Sequence, residues 1–265
     1  MSKAIKLNAV QFQAEEESGL SPVLILHGLF GSARNWQSFA KKLAKERTVY
    51  ALDMRNHGNS PHSSTMGYPE MAADVVQFLD ELHVPSAHLI GHSMGGKAAM
   101  TIALNSPERV QNLLIVDIAP IKYDHSYDVL LGNLRGLDLN KITRRAEANK
   151  LLGEVLDDDE LRLFLLQNLV VRPGEATHWR INLEAIRENI DHLVQYVPDN
   201  TQTFSGPVDL IRGAESAYVR ESFYPLFKTL FPAINFHVIE KAGHWPHAQN
   251  PNSFLKVVHQ ILANR

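Results

Sequence analysis

"LIGHSMGGKAAM", residues 89–100, sets one serine between glycines where an apolar run stops and a helix-forming run begins. Gly91-His92-Ser93-Met94-Gly95 has the spacing G-x-S-x-G. A strand that turns at once into a helix forces its central residue into a strained backbone, and glycines two positions to either side let the backbones approach. The hydroxyl of Ser93 is then held above a sheet edge, and the helix N-terminus aims the Met94 N–H at any oxyanion formed on an attacked carbonyl. Alone, the spacing also fits a glycine-rich turn. Flanked by strand and helix, it predicts a nucleophile.

Working outward, short apolar runs recur at 23–26, 49–52, 87–90, 113–116, 208–211 and 236–239, most of them ending at Gly, His or Asp. Buried parallel strands with loops at their carboxyl ends have this form. A weaker alternation at Ile5, Leu7, Ala9 and Val10 to Phe12 suggests an opening strand. Helical spacing fills roughly 36–45, 68–82, 94–105 before Pro107, and 251–263 opened by Pro251. This alternation predicts an α/β fold with a doubly wound sheet. It lapses between Pro120 and Ser205, where "RRAEANKLLGEVL" (144–156) and "DDDELRLFLLQNLV" (157–170) are amphipathic. Residues 120–205 are therefore expected to form a helical cap inserted in a core of residues 1–119 and 206–265. Asp157 to Asp159 suit a helix N-terminus, and adjacent acids on a short helix start do not converge on a metal.

With 265 residues, 45% hydrophobic, the chain is long enough for one domain of substantial core. Lys plus Arg number 26 against 29 Asp plus Glu, a formal charge of −3 with no long basic block, which argues against a nucleic-acid partner. There is no Cys, so disulfides, thiolate nucleophiles and thiolate metal sites are excluded. The opening "MSKAIKLNAVQFQAEE" lacks a signal-peptide apolar run, and no stretch matches a membrane span of roughly 20 apolar residues. A soluble cytoplasmic protein is expected, and oligomeric state is not readable.

A serine needs a base. Of 13 histidines, His244 in "EKAGHWPHAQNP" follows the last strand, after a Gly and before the Pro251 helix, so it lies on a loop at the edge where Ser93 sits. His247, three residues on, is the spare and is expected to pack or hydrogen-bond. A second oxyanion donor should come from "LILHGLFGSARNW", where the Leu29 N–H is the candidate and His27 is expected to brace the loop. An acid must orient the imidazole. Asp117, closing the "LLIV" run, is the choice. Glu215 in "VDLIRGAESAYV" is the alternative, with Ser216 where an Asp is commonly sought. Asp209 lies inside its strand and is expected to be structural. Lys97 is expected to be a solvated or salt-bridged helix lysine, with an anionic substrate group as the sharper reading. Asp53 and Arg55 are expected to tie together the loop after their strand, and Arg144-Arg145 to be a solvated helix face. Trp179, Tyr123 and Trp245 suit either a pocket lining or ordinary packing.

HGLFGS (27–32), DMRNHGNS (53–60), GHSMGGK (91–97), DIAP (117–120) and AGHWPH (242–247), with a weaker HWRIN (178–182), together resemble the α/β-hydrolase superfamily and, within it, the small bacterial YbfF-type esterases. The resemblance implies an eight-stranded, mostly parallel sheet with a helical lid and a Ser, Asp, His triad whose acid follows the sixth strand, which favours Asp117. It also implies hydrolysis of carboxylic esters and, within the same chemistry, acyl-CoA thioesters. Asn56 departs from the general superfamily pattern as the subgroup does, and Gln249 stands where an acid is common.

The expected chemistry is acyl transfer through an acyl-enzyme on Ser93, with no metal or organic cofactor. A C–C hydrolase or lyase would use the same triad. In a different class, a non-catalytic ligand receptor would keep the fold and lose the chemistry.

Overall fold

The computed structural model describes residues 3–14, 19–124, 126–198 and 201–263. The reading of the opening stretch as lacking a signal peptide falls partly on residues outside this set. Strands β1 (Asn8–Phe12), β2 (Val23–Leu26), β3 (Val49–Asp53), β4 (Ala87–His92) and β5 (Val110–Val116) alternate with helices α1 (Gln37–Leu43), α2 (Tyr68–Glu81) and α3 (Met94–Asn105). The chain then leaves the sheet. It forms α4 (Asp128–Arg135), α5 (Arg145–Gly153), α6 (Asp159–Leu166), a ribbon of β6 (Leu169–Val170) and β7 (His178–Trp179), and α7 (Leu183–Val194). It returns as β8 (Val208–Gly213), α8 (Tyr224–Leu230), β9 (Ile234–Ile239), α9 (Pro246–Gln249) and α10 (Pro251–Ala263).

The main sheet runs β1-β3-β2-β4-β5-β8-β9, parallel except for β1. It has seven strands among the described residues, one fewer than the resemblance implies. Upstream of β1 the Ile5 N–H donates to the Asp74 side chain, at Oδ1, at 2.7 Å. The expected strand from Ile5 starts only at Asn8, whose N–H donates to Ser60 Oγ at 2.8 Å while the residue stands opposite Asp53 of β3.

The inner strands are buried on both faces, which explains their unbroken apolar runs. Val23 and Ile25 join Trp36, Phe39, Phe254 and Val258 on the α1/α10 side. Leu24 and Leu26 join Val75, Leu79, Met100 and Leu113 on the α2/α3 side. Between β5 and β8 the expected helices form, but "DDDELRLFLLQNLV" stops being helical at Leu166, and Leu169–Val170 pair with His178–Trp179. At the start of that run, Asp158 caps α6 by accepting from Leu161 N–H at 2.9 Å. No helix of the described residues is long and apolar enough to cross a membrane.

Candidate active site

Ser93 follows β4 without a spacer, and its N–H donates to Val116 O of β5 at 3.0 Å. Its backbone lies at φ 50°, ψ −116°, a left-handed conformation that costs a non-glycine residue roughly 1–3 kcal/mol and persists only where the surroundings enforce it. They do so by close approach: a Cβ on Gly91 would collide with Gly95 O, and one on Gly95 with Leu26 O. The serine is thus held at the carboxyl edge of the sheet, over the first turn of α3.

Two other loops at that edge meet it. His244, after β9, places Nε2 3.0 Å from Ser93 Oγ and Nδ1 2.7 Å from Asp117 Oδ2. The hydroxyl donates to Nε2 and Nδ1–H donates to the carboxylate. Asp117 follows β5 directly, is fully buried and also adopts a positive φ of 49°. Its Oδ1 accepts from Gly213 N–H at 3.1 Å, and its Oδ2 accepts from Ser216 Oγ. Glu215 is exposed, and its backbone N–H donates to Ala242 O. Of the two candidate acids, Asp117 is the one the fold brings to His244.

On the other side of Ser93 lies the turn after β2. Phe30 N–H donates to His57 Nε2 and Gly31 N–H to Gly28 O, while the N–H groups of Leu29 and Met94 have no acceptor among the described residues. Two unbonded amides beside a serine hydroxyl match the donors an oxyanion needs. The turn is braced from below, as expected for His27: its Nε2 accepts from Met54 N–H at 2.9 Å and its Nδ1–H donates to Gly28 O at 2.8 Å. Burial lowers its pKa, which keeps the ring neutral and able to accept.

This geometry agrees with the family comparison. The model of the alpha/beta hydrolase fold matches residues 21–251. The chain belongs to the α/β-hydrolase family. It is 40% identical over 245 residues to the sn-1-specific diacylglycerol lipase ABHD11 of Xenopus laevis, covering 89% of this chain and 78% of that protein. It is 33% identical over 259 residues to Esterase YbfF of Escherichia coli (strain K12), covering 97% and 99%. A solved structure described as a marine microorganism esterase superposes with a TM-score of 0.91 at 34% identity, covering 97% of this chain and 99% of that one.

Several residues gain their place in this α/β-hydrolase site only from the structure. Tyr218 stacks on the His244 ring at 3.7 Å and 17°. His92 sets its Nε2 2.7 Å from His244 O, and because burial, then the charges of His244 and His247, push its pKa well down, the neutral ring donates there. His57 supports the turn after β2, with its pKa pushed down to about 3 chiefly by burial. His247 packs as expected, stacked on Trp36 at 4.0 Å.

Lys97 departs from expectation. It is neither solvated nor salt-bridged: it is 1% exposed, and Nζ donates to Ile121 O at 2.8 Å and Tyr196 O at 3.0 Å. The Tyr123 and Tyr68 rings lie 5.0 and 5.9 Å from it, and burial lowers its pKa to about 8. Asp53 does tie its loop, accepting from Asn59 N–H and Ala33 N–H, whereas Arg55 reaches away to form a fully buried two-pronged pair with Asp74. Arg144 pairs with Glu147 within the helix start, but Arg145 turns inward to Leu169 O. Asp209 stays within β8 and meets His237 Nε2 at 2.8 Å.

Two cavities open onto Ser93. The larger, about 210 Å³, is walled by His244, Trp245, Phe164, Leu161 and Leu130, with Phe164 and Trp245 in ring contact at 5.6 Å. The smaller, about 40 Å³, is walled by Met94, Lys97, Ile118, Tyr68, Tyr123 and Leu193. Trp179 lines neither, so of the three aromatic candidates Trp245 and Tyr123 face the site.

Proposed function

We propose that this chain is a serine esterase that hydrolyses esters of small to medium acyl groups, with acyl-CoA thioesters as a second class of donor open to the same acyl-enzyme route. The observation that carries the reading is the continuous line from Ser93 Oγ through His244 to Asp117, facing two amides that have no acceptor among the described residues. The esterase and lipase names of relatives at 33% and 40% identity point the same way.

In this reading His244 Nε2 takes the Ser93 proton as Oγ attacks the carbonyl carbon, and Asp117 stabilises the imidazolium. Leu29 and Met94 N–H groups hold the oxyanion. The leaving alcohol or thiol departs with the proton from His244, and water then repeats the sequence in reverse roles to free the acid and the serine. No step calls on a metal or an organic cofactor. Residues 120–205 serve as the cap over a core of residues 1–119 and 206–265, closing the larger cavity with α4 and α6. A chain without cysteine suits the reducing cytoplasm.

The test is hydrolysis of p-nitrophenyl acetate and butyrate by the wild type and by Ser93→Ala. Turnover in the first and its loss in a folded variant supports the esterase; equal rates in both rule it out.

A further inference from the structure

The two cavities share a wall of Leu29, Ser93, Tyr127 and Tyr218 but differ in the group that decides what enters each. His244 borders the larger and not the smaller; Met94 borders the smaller and not the larger. That asymmetry has a stereochemical meaning. The tetrahedral carbon on Ser93 carries four substituents: Oγ, the oxyanion, the leaving oxygen and the acyl chain. The leaving oxygen must face His244 Nε2 to receive its proton, and the oxyanion must face the Leu29 and Met94 amides. The acyl chain takes the remaining direction, away from the imidazole.

From this we infer that the larger cavity receives the alcohol and the smaller one the acyl group, so the preferred substrates join a short acyl group to a bulky apolar alcohol. This rests on the serine-esterase reading and refines it. During acylation the Oγ–carbonyl carbon bond forms and the carbon–alkoxy oxygen bond breaks, and the proton taken from Ser93 leaves on the alcohol. Water then supplies the proton and hydroxyl that restore Ser93 and release a short carboxylic acid.

The smaller cavity's size and lining set the limit. Its 40 Å³ holds about three water-sized spheres, enough for a tail of about two to four carbons including the carbonyl. Three of its polar groups are already engaged. Tyr68 Oη donates to Leu193 O at 3.1 Å, Tyr123 Oη donates to Tyr218 O at 2.8 Å, and Lys97 Nζ is spent on Ile121 O and Tyr196 O. Ring faces, Ile118 and Leu193 remain to touch the chain, and these walls are tied to both ends of the segment between β5 and β8. The larger cavity offers Leu130, Leu161, Phe164 and Trp245, an apolar and aromatic surface suited to an aryl or branched alcohol.

Two ester series test the assignment: p-nitrophenyl esters from acetyl to decanoyl, and acetates of ethanol, hexanol, benzyl alcohol and naphthylmethanol. The wild type is expected to lose kcat/KM at least tenfold between butyryl and octanoyl and to gain it as the alcohol grows. Leu193→Ala and Ile118→Ala, two separate ways of enlarging the smaller cavity, should move the acyl optimum to longer chains and leave the alcohol ranking unchanged. Phe164→Ala should change the alcohol ranking alone. An acyl optimum of eight carbons or more in the wild type overturns the assignment, as does an acyl optimum that follows Phe164 and ignores both Leu193 and Ile118. Turnover of no ester by the wild type, or turnover unaffected by Ser93→Ala, is a different result and overturns the esterase reading itself.

Discussion

Ser216 Oγ donates to Asp117 Oδ2, the same oxygen that His244 Nδ1 approaches at 2.7 Å. The loop after β8, where an acid is commonly sought, thus supplies a hydroxyl to the carboxylate carried by β5. Ser216→Ala removes one donor to a buried carboxylate and leaves Gly213 N–H and His244 in place. A hydrogen bond to a charged group contributes about 1.5–3 kcal/mol, and the carboxylate shares that with its remaining partners. A fall in kcat of roughly tenfold with KM unchanged is expected. Wild-type kcat in this variant would show that the hydroxyl has no part in holding Asp117.

The two carboxylates separate cleanly by mutation. Asp117→Asn keeps the shape but removes the charge that stabilises the imidazolium, so kcat should fall on the order of 10³- to 10⁴-fold. Glu215→Gln alters an exposed side chain and should leave turnover near wild type. If the Glu215 variant is the crippled one in steady-state kinetics, the acid has been misassigned.

Lys97 makes stability depend on pH at the alkaline end. Its pKa lies at about 8 in the folded protein against 10.5 unfolded, because burial disfavours the ammonium. Between those values the unfolded chain holds a proton that the folded chain has released, so stability rises with pH across that window. Relative to Lys97→Met, which lacks the titration, the wild type should gain up to about 3 kcal/mol between pH 8 and 10.5. Urea denaturation at both ends of the window measures it, and a constant difference between the two proteins would refute it.

Buried imidazoles act at the acid end. His57 and His247 have pKa values pushed down to about 3 from 6.5, chiefly by burial. Each is neutral in the fold and protonated in the unfolded chain once the pH drops below 6.5, so stability present at neutral pH is lost as acid is added. At most about 2 kcal/mol per imidazole is expected between pH 6.5 and 5. His247→Phe keeps a ring stacked on Trp36 and should soften the decline in the urea midpoint between pH 7 and 5. A midpoint that falls as steeply in the variant counts against the assignment for His247.

What could be read from residues alone follows a physical pattern. The elbow at Ser93 announces itself because its strain demands glycines at set spacing, and His244 because chain order and loop position leave few rivals. The inner strands are legible because burial on both faces makes them apolar throughout. Lys97 is misread because its partners are main-chain oxygens 24 and 99 residues away, and carbonyls leave no mark in sequence. Tyr218 is missed for a related reason: stacking on His244 depends on a loop conformation, not on a spacing. The opening strand is shorter than its apolar pattern suggests, because Ile5 gives its amide to the Asp74 side chain and β1 begins at Asn8.

Trp245 stands in the wall of the larger cavity against Phe164, and Trp36, stacked on His247, borders the same cavity from a buried position. The molecule therefore carries its own optical reporter. In Ser93→Ala, where nothing is consumed, a molecule settling against these indoles changes their emission. Alcohols and uncleaved esters that release no dye can be ranked by light from the protein itself.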